Sequence, residues 1–196
     1  SNIPDISDVY KLIELISCLG VKISRESGSS MSFEAIDIDL DYLQTPQFRA
    51  QSASIRGSIM IVGPLLARFG RAFIPKPGGD KIGRRRVDTH FTGFMKLGAS
   101  FEFDTDDPFY RVEAASLTGC YIHLDEASVT GTANIIMAAV LARGRTTIYN
   151  AACEPYIQQL CRMLVSMGAR IEGTGSNLLH IDGTTGLGGC RHSILP

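Results

Sequence analysis

One short pattern returns three times along the chain. Leu19-Gly20-Val21-Lys22-Ile23, Leu97-Gly98-Ala99-Ser100-Phe101 and Met167-Gly168-Ala169-Arg170-Ile171 align with one another. Their spacing, about 70–80 residues, marks an internal structural repeat. Each marker closes an amphipathic helical stretch and opens an alternating one. Before the first marker, Ile6, Val9, Leu12, Ile13, Ile16 and Leu19 share a helical face over 5–19, with Asp5 placed to cap its start and Gly20 to end it. A strand over 21–25, a polar turn over 26–30 and an alternating run over 31–38 follow. The second copy reads as helix 87–97, strand 99–103, turn 104–108 and return strand 109–114. The third reads as helix 155–167, strand 169–172, turn 173–176 and return strand 177–182.

The stretches between the markers also match. An apolar helix over 54–69 precedes Gly70 and a strand over 71–75, and an apolar helix over 131–142 precedes Gly144 and a strand over 145–150. Gly63-Pro64 predicts a kink or a boundary in the first of these helices. Strands over 120–124 and 190–194 each open a new unit, so a full unit runs βαβαββ. The helices between strands are apolar over much of their surface. They are expected to lie buried against a shell of sheets, not to coat one sheet from outside. The fold class is α/β, in one domain divided into the second half of a unit (1–43), two full units (44–117 and 118–186) and the first strand of another (187–196). On this register both ends are expected to be cut from a larger protein.

At 196 residues the chain can bury one good core or two small ones. A net charge of -1 argues against a dedicated nucleic-acid binder, so any anion site is local. The longest apolar run, Ile135 to Ala142, is too short to span a bilayer, and no secretory signal pattern opens the chain. Cys18, Cys120, Cys153, Cys161 and Cys190 form no CxxC pair, and such an odd, scattered set points to reduced thiols in the cytoplasm. His90, His123, His180 and His192 are dispersed without metal-ligand spacing and read as structural or surface residues. No metal or organic cofactor is expected.

Chemistry concentrates in Pro77 to His90, a glycine-rich loop running through Arg84-Arg85-Arg86 into the start of a helix. Glycines let backbone approach a ligand, arginines grip phosphate or carboxylate bidentately, and a helix start adds N–H groups and partial positive charge. Asp80 is the one acid at the tip among these cations. From the residues alone, an anion-binding loop and a solvated turn both remain open.

The repeated βαβαββ unit resembles the enolpyruvyl transferases, whose units build inside-out α/β barrels. Ser54 to Ile59, Gly63 to Gly70, Pro77 to His90, Ala127 to Thr132 and Asn150 to Pro155 are similar to those of family members that act on UDP-N-acetylglucosamine, in order and spacing along the whole chain. The resemblance implies an incomplete barrel domain and transfer of the enolpyruvyl group of phosphoenolpyruvate to the sugar 3-hydroxyl through a tetrahedral adduct, opening peptidoglycan synthesis. It also implies that a lysine–asparagine pair and a second domain, with an essential aspartate and further arginines, are missing here. This chain alone is therefore expected to be inactive, and its exposed apolar surface to favour self-association.

Asp80 stands where most of the family carries a cysteine, the loop's general acid and the site of fosfomycin alkylation. A carboxylic acid can fill that role if its surroundings hold its proton near neutral pH. The resemblance places Arg56 against substrate in the interdomain cleft and Arg85 on the nucleotide diphosphate. Arg86, Val87, Asp88 and Thr89 continue the uridine grip, with Asp88 accepting from the uracil side. Two of these depart from the family, which usually has proline at Arg86 and leucine at Thr89. Ser128 and Val129 stand in the turn whose backbone N–H groups take the diphosphate, and Ser128 can equally cap the following helix. Glu154, before Pro155, reads as a capping residue. The sister 5-enolpyruvylshikimate-3-phosphate synthase branch is disfavoured by the Gly78-Gly79-Asp80 loop and the Arg85-to-Thr89 segment, and a stand-alone nucleotide-sugar binding module is the alternative from another class.

A carboxylate is a far poorer nucleophile toward an epoxide than a thiolate. The full-length protein is expected to be active and to keep its intact mass unchanged after incubation with fosfomycin. A one-drug adduct on Asp80 would refute this.

Overall fold

In the computed structural model, which describes residues 1–75, 87–104 and 109–195, the three marker glycines adopt nearly the same backbone. Gly20, Gly98 and Gly168 have φ of 98°, 100° and 105°, values that L side chains rarely tolerate. Each follows a helix: α1 (Ser7–Cys18), α4 (Asp88–Lys96) and α6 (Pro155–Ser166). The residue after each glycine donates back over the last turn, Val21 N to Ile16 O, Ala99 N to Phe94 O and Ala169 N to Leu164 O, which is a Schellman closure made three times. The repetition extends further. Leu19 O, Leu97 O and Met167 O accept from Asp39 N, Thr118 N and Gly188 N at 2.9, 2.9 and 2.7 Å, so each copy returns to tie down its own helix end.

Among the described residues the strands form three sheets. The first pairs β1 (Lys22–Ser27) with β2 (Ser30–Glu34), antiparallel. The second holds β3 (Arg71–Pro75), β5 (Phe109–Glu113) and β4 (Ser100–Asp104) in that order, all antiparallel. The third orders β6 (Tyr121–His123), β7 (Arg145–Tyr149), β9 (Leu178–Asp182) and β8 (Arg170–Glu172), with β6 and β7 parallel. β3, β5 and β4 thus repeat the order of β7, β9 and β8, and β2 and β1 that of β9 and β8.

At the centre lies α5 (Val129–Ala139), with eight of its eleven residues buried. Sequence patterning predicts this, since the stretch has little polar surface to offer water. α3 (Val62–Phe69) and α4 both pack on it. A Cβ at Gly63 would sit 2.4 Å from Asn134 O, and one at Gly93 would sit 2.3 Å from Ile135 Cδ1. Neighbouring helices therefore reach α5 through glycine. α4 is held from its other side by an aromatic cluster, with the Phe91 ring 4.4 Å from Phe101 and 4.7 Å from Tyr110.

Several sequence expectations change. The predicted 54–69 helix breaks into a 3-10 turn, Arg56–Ile61, followed by α3, and the change falls just before Gly63-Pro64 as anticipated. Preceding it, α2 (Pro46–Ser54) stands where the repeat predicts a strand. The cause is local: Thr45 Oγ1 accepts from Phe48 N at 3.1 Å and Pro46 takes the first helical position, a strong helix start. The 31–38 run pairs only as far as Glu34. Residues 190–194 do not form a strand. Ile194 N donates to Ser1 O and Ser1 N to His192 O, contacts with the chain start that do not amount to a ladder. Neither Asp5 nor Glu154 caps through its side chain, because α1 begins after Ile6 and the Glu154 carboxylate makes no capping bond.

The Gly63 approach is to backbone and cannot relax by rotating a side chain. Gly63→Ala is expected to lower stability by about 1–3 kcal/mol, the usual cost of overpacking. Gly93→Ala should lose less, because its obstacle is the Cγ1–Cδ1 arm of the Ile135 side chain and not backbone, and alanine recovers up to ~1 kcal/mol of helix propensity. Urea unfolding of both variants checks this, and equal losses would contradict it.

Candidate functional site

The start of α4 and the start of α5 lie side by side. Val87 is the residue before α4, Asp88 and Thr89 are its first two residues, and Val87 O accepts from His90 N at 3.1 Å. Asp88 is exposed, with its charge at the positive end of the helix, where it is favoured. Thr89 is 2% exposed and its hydroxyl donates to Glu126 Oε1 at 3.1 Å. Its side chain therefore faces the neighbouring loop. Ser128 does cap α5, accepting from Gly131 N at 3.3 Å, and Thr132 N reaches Ser128 O at 2.8 Å. The two starts touch, since a Cβ at Gly131 would stand 2.9 Å from Thr89 Cγ2.

Beneath them runs a polar chain. Asn134, fully buried in the middle of α5, accepts on Oδ1 from Gly63 N at 2.8 Å and donates from Nδ2 to Ile59 O at 2.8 Å and to His90 Nδ1 at 2.9 Å. On its other nitrogen, His90 meets Thr130 Oγ1 at 3.2 Å. Arg56, half-buried, opens the 3-10 turn that contributes Ile59. Burial first and the Arg56 guanidinium second push the His90 pKa down to about 4, with the Asp88 carboxylate opposing them weakly. His90 is neutral at physiological pH. Burial, with a smaller push from Asp88, raises the Tyr110 pKa, so β5 also lies within reach of that carboxylate.

Of the residues predicted from sequence, Arg56, Val87, Asp88, Thr89, Ser128 and Val129 gather around this chain. Asp80, Arg85 and Arg86 lie outside the described residues. Glu126, Thr130 and Asn134, which join the gathered elements, carry no site role on the sequence reading, although Thr130 lies within the Ala127–Thr132 motif. The available signal was Asn134 itself, a polar side chain inside an apolar run that needs buried partners. A depression of about 850 Å³ bordered by Arg68, Arg71, Ser100 and Glu113 includes none of the predicted residues. Arg68 and Arg71 lend it positive charge, offset in part by Glu113, but none of its lining residues belongs to a helix start. Among the described residues no helix is long and apolar enough to cross a membrane.

Alternating repeats, glycine-closed helices and buried central helices make a mixed α/β domain with open sheets. The chain belongs to the family described as EPSP synthase (3-phosphoshikimate 1-carboxyvinyltransferase), whose model matches residues 1–196. Within it, the chain is 58% identical over 195 residues to a UDP-N-acetylglucosamine 1-carboxyvinyltransferase of Porphyromonas gingivalis, covering 100% of this chain and 45% of that protein. A protein of the same name from Bacteroides thetaiotaomicron is 58% identical over 196 residues with the same coverages, and one from Borreliella burgdorferi is 47% identical over 188 residues, 96% of this chain and 42% of that protein. The chain thus spans a little under half the length of these relatives. Among solved structures, the enolpyruvyl transferase NikO from Streptomyces tendae superposes with a TM-score of 0.74 at 19% identity, covering 92% of this chain and 41% of that one. EPSP synthase from Acinetobacter baumannii reaches 0.66 at 17%, covering 92% and 40%. At such identities these two speak for the fold.

The His90 value carries a sign. The folded state disfavours the proton, so between pH 6.5 and about 4 the unfolded chain binds more protons, and stability falls as pH falls through that window. The shift corresponds to about 3 kcal/mol. A His90→Asn chain is expected to lack this component, which denaturant titrations at pH 7 and pH 4 would read as a flatter pH dependence than in the unsubstituted chain.

Proposed function

We propose that this chain is part of a cytoplasmic enzyme that transfers the enolpyruvyl group of phosphoenolpyruvate to the 3-hydroxyl of UDP-N-acetylglucosamine, releasing phosphate. The observation that carries this reading is 58% identity along the whole chain to relatives bearing the corresponding name. The five free cysteines are compatible with a reducing compartment. The shikimate-type reaction named in the family description has weaker support, since its solved example is only 17% identical.

The site residues take roles that the chemistry requires. The sugar oxygen attacks C2 of phosphoenolpyruvate, its hydroxyl proton passing to a base from elsewhere in the full-length polypeptide, while the methylene carbon gains a proton, which Asp80 supplies in this reading. Collapse of the tetrahedral adduct returns a proton from that carbon and expels phosphate. Arg85 and the turn at Ser128 and Val129 hold the nucleotide diphosphate, where a helix start favours anions, with Ser128 N–H, which here donates to Glu126 O at 2.8 Å, turning from that carbonyl to the ligand. Asp88, exposed at the head of α4, receives hydrogen bonds from the uracil side. Thr89, with its hydroxyl on Glu126, and Val87 serve through backbone. Arg86 adds positive charge, and Arg56 reaches substrate from the 3-10 turn. The remaining contacts to phosphoenolpyruvate are assigned to parts of the full-length polypeptide beyond this stretch.

Phosphate release from the two substrates by the full-length polypeptide is the test. Robust turnover is expected, with Asp80→Asn reducing it about 100-fold or more, as loss of a general acid does. The 196-residue chain alone should give none. Full-length protein that turns over shikimate 3-phosphate in place of the UDP-sugar would refute the assignment.

A further inference from the structure

His90 stands between the elements that carry the candidate nucleotide contacts. It is the third residue of α4, directly after Asp88 and Thr89, and only 1% of it is exposed. Its tautomer follows from its neighbours. Asn134 Oδ1 is occupied by Gly63 N–H, so the group facing His90 Nδ1 is the Asn134 amide nitrogen, a donor. Nδ1 must accept, and Nε2 then carries the ring proton and donates to the Thr130 hydroxyl. Thr130 lies on the first turn of α5, between Val129 and the capped Gly131. One ring thus spans from the head of α4 to the head of α5, and through Asn134 to the 3-10 turn that begins with Arg56.

Protonation would turn Nδ1 into a donor facing a donor. Among the described residues, the charged groups near the ring are Arg56 from the 3-10 turn and Asp88 from α4 itself, while α5 presents the uncharged Thr130 and Asn134. Tyr110 of β5 feels Asp88, and Glu126, in the loop before α5, is engaged by Thr89. The arrangement suits a neutral imidazole.

We propose that His90 is a positioning residue of the nucleotide-sugar site, a neutral Nε2–H imidazole that sets Asp88 at the head of α4 against Ser128 and Val129 at the head of α5. This rests on the UDP-sugar reading above. The nucleotide would touch both helix heads, so their separation governs its affinity. Phosphoenolpyruvate depends on groups from elsewhere in the polypeptide and should be little affected.

The test uses the full-length polypeptide, calorimetry with UDP-N-acetylglucosamine, and KM for both substrates. His90→Ala is expected to weaken UDP-sugar binding about ten- to hundredfold, the scale of a small misplacement, with the phosphoenolpyruvate KM nearly unchanged. His90→Asn, which keeps an acceptor facing Asn134, should recover most of the loss. Thr130→Val removes the Nε2 partner with little change in shape and should weaken UDP-sugar binding severalfold, even if His90→Ala does not fold. Unchanged UDP-sugar affinity in Thr130→Val, parallel shifts in both KM values, or an asparagine variant no better than alanine would overturn the proposal. A nitrogen-15 NMR spectrum of His90 at pH 7 showing Nδ1–H would overturn it as well. If the unsubstituted protein binds no UDP-sugar, the functional reading fails in that arm, before any variant is compared, and the proposal falls with it.

Discussion

Asn134 sits midway along a helix that has almost no solvent-facing side, and its carboxamide must find its partners inside the protein. An unsatisfied buried amide costs about 1–3 kcal/mol per group. Here the partners are a carbonyl from the 3-10 turn, an amide from the head of α3 and the ring of His90 on α4. Satisfying this one side chain therefore fixes three chain segments relative to α5. The glycine approach at Gly63 serves the same end, because only a residue without a Cβ lets its backbone N–H come within 2.8 Å of the carboxamide. The placement of Arg56, Asp88 and Ser128 around one small region follows from that packing.

The candidate site is built where helices begin, not in the hollow beside Arg68 and Arg71. Helix starts carry unpaired N–H groups and partial positive charge, and they need no cavity to attract an anion. Two such starts meet at the Thr89–Gly131 contact. The repeat accounts for their meeting: α4 follows the loop of one copy, α5 is the central helix of the next, and the aromatic cluster of Phe91, Phe101 and Tyr110 holds α4 in place from its other side. The same residues that complete the core thus orient the site.

Much of this was legible in the chain. The marker glycines predict the helix ends to within a residue or two, because a positive φ after a helix is a local demand that glycine meets by itself. Ser128 announces the start of α5 for an equally local reason. Where the βαβαββ unit calls for a strand ahead of α3, Thr45-Pro46 starts a helix instead, a signal written in two adjacent residues. The strand expected over 190–194 failed for the opposite reason, since a strand needs a neighbour and alternation cannot supply one. Asp5 and Glu154 have capping chemistry, but α1 starts one residue too late for Asp5, and Glu154 stands at the cap position without a side-chain bond.

By itself the sequence determined the repeat, the helix ends, the apolar character of the central helices and the family resemblance, all of which rest on short-range pattern or residue identity. Only the tertiary structure decided that Thr89 turns inward to Glu126, that Asn134 joins three segments, and that a histidine read as structural or surface is held neutral between two helix heads. Those outcomes depend on partners 37 to 75 positions away along the chain. No local pattern records which distant polar groups will be buried together, and burial is what makes each of these pairings obligatory.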